Sequence, residues 1–267
     1  KYLELVPPAL LEGKRIIQSG MMSEISRCNA AIDAAIGLSS DCGSDGAEAA
    51  GRAAPPVSEM QAASETAPRR GMNPEPTCLV CSGDPGVYAL AGLVYELAEQ
   101  RGLGPDALDI RVIPGIPAVC AAAALLGAPL MHDFAVISLS DLLTPWELIE
   151  RRISHALAGD FVIAVYNPRS KKRNWQLDAL LKAALEERGP EGVVGLVRNA
   201  YREDQQVSIH RLGAFDPGQV DMLSILLIGN SQCRVRPDGT GGEDWAKGAR
   251  MVTPRGYLRK YGVDGSR

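Results

Sequence analysis

The sharpest change of pattern along the chain comes after an apolar run, Thr77-Cys78-Leu79-Val80-Cys81. The run stops at Ser82-Gly83-Asp84-Pro85-Gly86, and a long amphipathic segment follows. An apolar run of this length bounded by turn residues predicts a buried strand. The Gly-Asp-Pro-Gly cluster predicts a tight turn, and Val87 to Arg101 a helix. A strand that ends in small residues and enters a helix is where open α/β sheets hold ligands. The glycines let a ligand approach the backbone, and Asp84 adds one fixed carboxylate at the lip.

The same alternation organises the rest. Lys14 to Gln18 is a short strand candidate. Ser23 to Ile36 predicts a helix with Ser23 as N-cap, because Ile25, Cys28, Ile32 and Ile36 recur at helical spacing. Further strands are predicted at Asp109 to Ile113, Phe134 to Leu139, Phe161 to Tyr166, Val193 to Val197, Gln206 to His210 and Met222 to Ile228. Helices are predicted at Ala118 to Leu126, opened by Pro117, and at Trp175 to Arg188. Thr144-Pro145-Trp146-Glu147 has the pattern of a capping box, with its helix running to about Leu157. Only a short turn-like stretch separates the Val193 and Gln206 strands, so they are expected to pair antiparallel, in a mixed sheet.

One stretch breaks the pattern. Residues 39–76 are Ala, Gly, Ser, Pro and Glu with almost no bulky apolar side chain. Such a segment cannot bury enough surface to offset its chain entropy, and it reads as a disordered insertion. The expected organisation is a first α/β domain over 1–114, a second over 115–235 and a tail over 236–267.

Composition narrows the class. The chain has 267 residues, 46% hydrophobic content and a formal net charge of −4. These are the proportions of an ordinary globular α/β protein. The charge argues against nucleic-acid binding, no apolar run is long enough for a membrane span, and no signal-peptide pattern is present. A cytoplasmic enzyme fits. Six cysteines are too sparse for a disulfide framework. Cys78 and Cys81 form a C-x-x-C, but in a strand they face opposite sides and no further ligand pair completes a site, so no metal is expected.

Candidate chemistry gathers at the turns that close predicted strands. Besides Gly83-Asp84-Pro85 these are Pro114-Gly115-Ile116-Pro117-Ala118, Tyr166-Asn167-Pro168-Arg169-Ser170 with Lys171, Lys172 and Arg173, Arg198-Asn199-Ala200 with Arg202, and Gly229-Asn230-Ser231-Gln232. Turns favour Gly, Pro, Asn and Asp for backbone reasons alone. Five such turns at strand ends, two of them basic, point to a shared site.

These blocks resemble the tetrapyrrole methyltransferases, a two-domain class that uses S-adenosylmethionine. Ser82 to Tyr88 is similar to the family's Gly-Asp-Pro motif. Leu126 to Trp146, Tyr166 to Ser170, Val197 to Ala200, Gly229 to Gln232 and Arg250 to Tyr257 resemble the branch that methylates C17 of a corrin precursor. The resemblance implies a mostly parallel N-terminal sheet, a mixed C-terminal sheet and an active site in the cleft between them. It implies S-adenosylmethionine near Gly83, Asp84, Val87, Pro117, Ala118, Asn167, Asn199, Ala200 and Gly229. The implied activity is methylation of precorrin-3B or its cobalt-bearing counterpart, with ring contraction, by a homodimer.

Methyl transfer from a sulfonium needs alignment and exclusion of water rather than a metal. The implied substrate carries many carboxylates. Arg169 and Arg198 are the expected binding residues, because a guanidinium fork takes two oxygens at once. Ring contraction also needs an acid/base group. Asp84, Tyr88 and His132 are candidates, with Asp133 and Asp141 behind them, whereas His155 and His210 read as structural. Family members open on a strand and a Gly-x-Gly-Pro-Gly loop, and no such loop occurs in this sequence. Weak or absent turnover by this polypeptide is therefore expected, the alternative being an inactive tetrapyrrole- or cofactor-binding fragment. A nicotinamide-dependent oxidoreductase is disfavoured, since no Gly-x-Gly-x-x-Gly turn follows a first strand.

Overall fold

A computed structural model describes residues 6–18, 23–38, 74–170, 173–237 and 248–262. Residues 39–73 of the expected insertion, and Lys171 and Lys172, lie outside the described residues. The chain divides into two compact units, Lys1–Gly115 and Ile116–Arg267.

The first unit is helical among its described residues. A short helix α1 (Pro8–Leu11) precedes α2 (Glu24–Ala35), and α3 (Ala91–Gln100) follows the Gly-Asp-Pro turn. Buried Cys28, Ile32 and Leu97 form the core, with Ile36, Leu79, Leu93, Val94 and Leu108 packed around it. Arg101 fastens the two longer helices by donating to Asp33 at 2.6 Å. Ser23 stands at the N-cap of α2 but makes no side-chain cap bond.

Three expectations are corrected in this unit. Residues 14–18, 77–81 and 109–113 form no strand ladder, so the expected N-terminal sheet is absent among the described residues. A strand exists only when a neighbour's backbone donors and acceptors complete it, and none of these segments lies against another in register. Leu79 and Leu108 use their side chains on the helices instead, while Ile113 stays 73% exposed. The opposite-face argument about Cys78 and Cys81 therefore loses its basis; Cys81 lies close enough to raise the pKa of buried Cys28, after desolvation. Finally, α3 starts at Ala91 rather than Val87. Tyr88 has φ 52°, a left-handed conformation incompatible with a helical turn, and Ala91 N–H donates to Pro85 O across it.

The second unit holds both sheets. Its elements are α4 (Ala118–Leu126), β1 (Gly127–Ala128), β2 (Phe134–Ser138), α5 (Trp146–Ala158), β3 (Val162–Tyr166), α6 (Trp175–Arg188), β4 (Val193–Arg198), β5 (Gln206–Arg211), β6 (Ser224–Ile228), β7 (Arg234–Arg236), β8 (Arg250–Val252) and α7 (Tyr257–Lys260). The main sheet has the order β2-β3-β6-β4-β5 and the small one β1-β8-β7. β2 and β3 are parallel, β6 is antiparallel to both β3 and β4, and β5 is antiparallel to β4, as the short connection required. The α/β class and the mixed sheet agree with the sequence pattern.

The central strands Val162–Tyr166, Val193–Arg198 and Ser224–Ile228 are apolar nearly throughout, because both their faces are covered. Ile163, Val165, Leu226 and Ile228 point to the α5/α6 side with Ile149, Ile153, Leu177 and Leu180. Ala164, Ile225 and Leu227 point to the α4 side with Val119, Ala122 and Met251. Gly195 makes the close seat for α4, since a Cβ there would lie 2.6 Å from Leu126 Cδ1. The tail expected beyond residue 235 contributes β8, and its Met251 is fully buried. Thr144 is not a helix cap: Pro145 occupies the N-cap of α5 with ψ 142°, and its carbonyl takes the N–H groups of Leu148 and Ile149.

Asp160 ties three elements together. Held left-handed at φ 54°, it accepts from Ser231 N–H at 2.9 Å and Ser231 Oγ at 2.6 Å. It also pairs with Arg188 at 3.1 Å, a side chain only 6% exposed. Burial pushes the Asp160 carboxyl up, but the two Ser231 bonds, Arg188 and His132 outweigh it and hold the group below the usual carboxylate range. With its folded pKa depressed, Asp160 contributes stability above the unfolded value of about 3.9, lost as pH falls through the folded value. Asp160→Ala should lower unfolding stability by about 2 kcal/mol at neutral pH. In urea titrations the deficit relative to wild type should shrink as pH drops below about 3.9.

Candidate active site

The register of the main sheet sorts the candidate residues into two groups. β2, β3 and β4 run the same way, so Ser138, Tyr166 and Arg198 close their carboxyl ends together. Asn167, Arg169, Asn199 and Ala200 follow from those ends. α4 begins at the same end, because Val119 N–H donates to Tyr166 Oη at 2.9 Å, which places Pro117 and Ala118 beside them. Pro117 is the N-cap of α4, and its carbonyl takes the N–H groups of Cys120 and Ala121.

Local backbone conformation explains the asparagines. Asn167 has φ 48° and Asn199 φ 50°, left-handed positions that Asn tolerates better than bulky residues. Asn167 Nδ2 donates to Ser138 Oγ at 2.9 Å, linking the ends of β3 and β2. Asn199 N–H donates to Leu223 O at 3.1 Å.

The arginines are held from behind. Arg198 Nε donates to Asp221 Oδ2 at 2.8 Å, and Arg169 Nη1 to Pro217 O at 2.6 Å. Burial raises the Asp221 carboxyl, but Arg198, Ser224 Oγ and Leu223 N–H bring it below its usual range, so the anchor is ionised. Ser138, Tyr166 and Asp221 were not foreseen as supports. The Asp221-x-x-Ser224 spacing before an apolar run was the available signal, since Asp221 Oδ1 accepts from Ser224 Oγ at 2.8 Å.

The other end of the sheet receives two expected site residues. Gly229 follows β6, which runs opposite to β3, and its N–H donates to Val193 O at the start of β4. His132 precedes β2. The five residues of β3 and the six of β4 separate these positions from Asn167 and Asn199, roughly 16 to 20 Å. A Cβ at Gly229 would lie 2.7 Å from Cys233 Sγ, a reason for glycine in the packing itself. Burial pushes that thiol up to about 11, so it stays protonated. His132 Nδ1 accepts from Asp133 N–H at 2.9 Å. Asp141 accepts from Gln176 Nε2 at 2.8 Å, His155 lies in α5, and His210 contacts Ser208 Oγ at 2.8 Å.

In the first unit the Gly-Asp-Pro turn is closed by its own carboxylate. Asp84 Oδ1 accepts from Gly86 N–H at 2.8 Å and Oδ2 from Gly115 N–H at 3.0 Å. Gly115 first, then Gly86, hold the carboxyl below the usual range. The two turns touch so closely that a Cβ at Gly115 would lie 2.1 Å from Gly83 O. Val87 N–H donates to Asp84 O at 3.3 Å, and Tyr88 stands exposed on the same turn. Among the described residues no group of three or more His, Cys, Asp or Glu side chains is placed to hold a metal ion.

Residues 45–216 match the family of Tetrapyrrole (Corrin/Porphyrin) Methylases. The chain belongs to this family. A Salmonella typhimurium protein named probable cobalt-factor III C(17)-methyltransferase is 39% identical over 256 residues, 96% of this chain and 85% of that relative. The Priestia megaterium cobalt-factor III methyltransferase is 38% identical over 97% of this chain. A Sinorhizobium precorrin-3B C(17)-methyltransferase is 42% identical over 59% of this chain and 62% of its own length. The chain spans 39% of the Priestia relative and 38% of an Archaeoglobus fulgidus one. The crystal structure of the methyltransferase CobJ is similar at 40% identity and a TM-score of 0.56, covering 66% of this chain and 68% of that one. As a tetrapyrrole methylase the chain thus keeps the Gly-Asp-Pro turn intact, with Asp84 spent on backbone N–H groups.

Asp84→Ala in this methylase should release both amides. Hydrogen exchange at Gly86 and Gly115 should accelerate at least about tenfold, with helix α3 unchanged, as local opening replaces a fixed turn. Unchanged exchange at both glycines would show that the carboxylate does not hold the turn.

Proposed function

We propose that this methylase transfers a methyl group from S-adenosylmethionine to C17 of precorrin-3B or cobalt-factor III, with contraction of the macrocycle, in cobalamin biosynthesis. The observation that carries the reading is the match to the Salmonella relative, named for that reaction, along 96% of this chain and 85% of its own.

The residues fit a bound adenosyl sulfonium. The cradle at Gly83 and Gly115 has no room for a Cβ at position 115, so backbone rather than side chain lines that turn. The carboxyl end of the main sheet offers Asn167, Asn199 and the start of α4, neutral donors and acceptors suited to a small polar ligand. S-adenosylmethionine supplies, when bound, a methyl on a cationic sulfur that leaves as a neutral thioether.

The chain's own residues have the following roles in this reading. Asp84 fixes the Gly-Asp-Pro turn, on which Gly83 and Val87 meet the cofactor. Within the second unit, Pro117, Ala118, Asn167, Asn199 and Ala200 are the residues we assign to the cofactor. Arg198, oriented through Nε by Asp221, turns its remaining guanidinium donors to a substrate carboxylate, and Arg169 does the same from Pro217. Both oxygens of Asp84 are engaged, which leaves it a weak proton carrier. His132 and Gly229 lie at the far end of the sheet and drop out of this site. Tyr88, an exposed phenol beside Asp84, is the group we assign to proton movement during ring contraction.

Calorimetry with S-adenosylhomocysteine and turnover of cobalt-factor III with methyl-labelled cofactor test the reading. Binding with transfer of one methyl is the expected result; binding without transfer would identify an inactive binding fragment, and neither would refute the proposal. Arg198→Ala should raise KM by about tenfold or more, the loss of one charge-assisted contact, with less effect on kcat. Tyr88→Phe should leave KM near wild type and slow formation of the contracted ring by about a hundredfold.

A further inference from the structure

The loop from Leu139 to Pro145 leaves the carboxyl end of β2 and is fastened along its length. Ser140 N–H donates to Ser138 Oγ at 3.2 Å, and Arg173 Nη1 to Leu139 O at 2.9 Å. Asp141 is held by Gln176, itself only 2% exposed, and Trp146 packs edge-on against Trp175 with centroids 4.7 Å apart. Between these ties the loop lifts two leucines into solvent, Leu142 at 76% and Leu143 at 98% exposure. Burial of each would be favourable, so a fastened loop that exposes both forgoes stability. Arg173 stands against this loop with its other terminal nitrogen 3.9 Å from Met222 Sδ. Its charge is felt by Asp141, which Gln176 holds, and Met222 is exposed beside it.

We infer that Leu142 and Leu143 form an apolar platform for one face of the tetrapyrrole ring, and that Arg173 takes one of its peripheral carboxylates. The inference rests on the proposed function and adds to it the residues that select a flat, apolar, anionic-edged ligand. Charge complementarity chooses the occupant. The loop that carries the leucines is fastened by the Arg173 guanidinium, and Arg198 and Arg169 stand at the same sheet end. A ligand apolar in its middle and carboxylate-bearing at its rim satisfies both features at once. Ser138 supports the loop through Ser140 and Asn167 through its side chain, so the platform is built onto the end where the cofactor is proposed to lie.

Leu142→Ser/Leu143→Ser, Arg173→Gln and Arg173→Lys, in the full chain, test this. Absorbance titration with cobalt-factor III should show Kd raised at least about tenfold by the double leucine variant, the loss of buried apolar contact. Arg173→Gln should weaken binding about tenfold, less so as salt rises, and Arg173→Lys should recover part of the loss. S-adenosylhomocysteine affinity should stay within about twofold in all three, since these side chains are not assigned to the cofactor. Unchanged tetrapyrrole affinity in the leucine and Gln variants would overturn the platform. So would a leucine variant whose only change is a smaller assembly by light scattering, which would give the surface to a second copy. A wild-type chain that binds S-adenosylhomocysteine but no tetrapyrrole refutes the platform alone. One that binds neither refutes the methyltransferase reading and the platform with it.

Discussion

Two-sided burial of the strands at residues 162–166, 193–198 and 224–228 is the constraint on which the second unit depends. Alternate residues of each strand enter two separate apolar layers, Ile163, Val165, Leu226 and Ile228 on one side and Ala164, Ile225 and Leu227 on the other. A slip of one residue would exchange every side chain between layers of different shape, so the register is strongly specified. That register decides which turns meet. It brings Ser138, Tyr166 and Arg198 to one end and sends Gly229 to the other.

The site end is built mainly from backbone and neutral groups, with charge confined to its rim. Tyr166 Oη receives a helix N–H, and Asn167 and Asn199 occupy left-handed turns. In the first unit, taken by itself, Asp84 spends its carboxylate on two glycine N–H groups. Each arrangement satisfies a polar group that would otherwise compete for ligand or water. The charges are the half-buried Arg169, Arg173 and Arg198, each oriented from behind by an acceptor that leaves part of the fork free. In a chain of net charge −4, this gathers positive charge where an anionic substrate is proposed to approach.

The two units were not equally legible. In the second, length, β-branched runs and turn residues set helix and strand positions within a residue or two. Ala118–Leu126 and Trp175–Arg188 coincide with their predicted limits. In the first, Leu79-Val80 and Val112-Ile113 have the composition of strands but no ladder among the described residues. Composition states only that a segment is willing to pair; pairing needs another backbone at the right distance. The start of the helix after the Gly-Asp-Pro turn was missed for a local reason, a left-handed Tyr88 that sterics would ordinarily disfavour.

By itself the amino-acid order determined the α/β class, the main-sheet strands and three longer helices of the second unit, the Gly-Asp-Pro turn and the family, because apolar periodicity and turn chemistry are local and act through neighbours in the chain. Folding in three dimensions decided which of the quoted turns share a sheet end. Five looked equivalent as strand ends, yet strand direction sent Asn167 and Asn199 one way and Gly229 the other, and direction depends on pairings far apart in the chain. The roles of Asp84, Arg198 and Arg173 were decided in the same way. What a side chain can do is set by the partners already holding its atoms, and those partners, Gly115, Asp221 and Leu139, lie 23 to 34 residues away along the backbone.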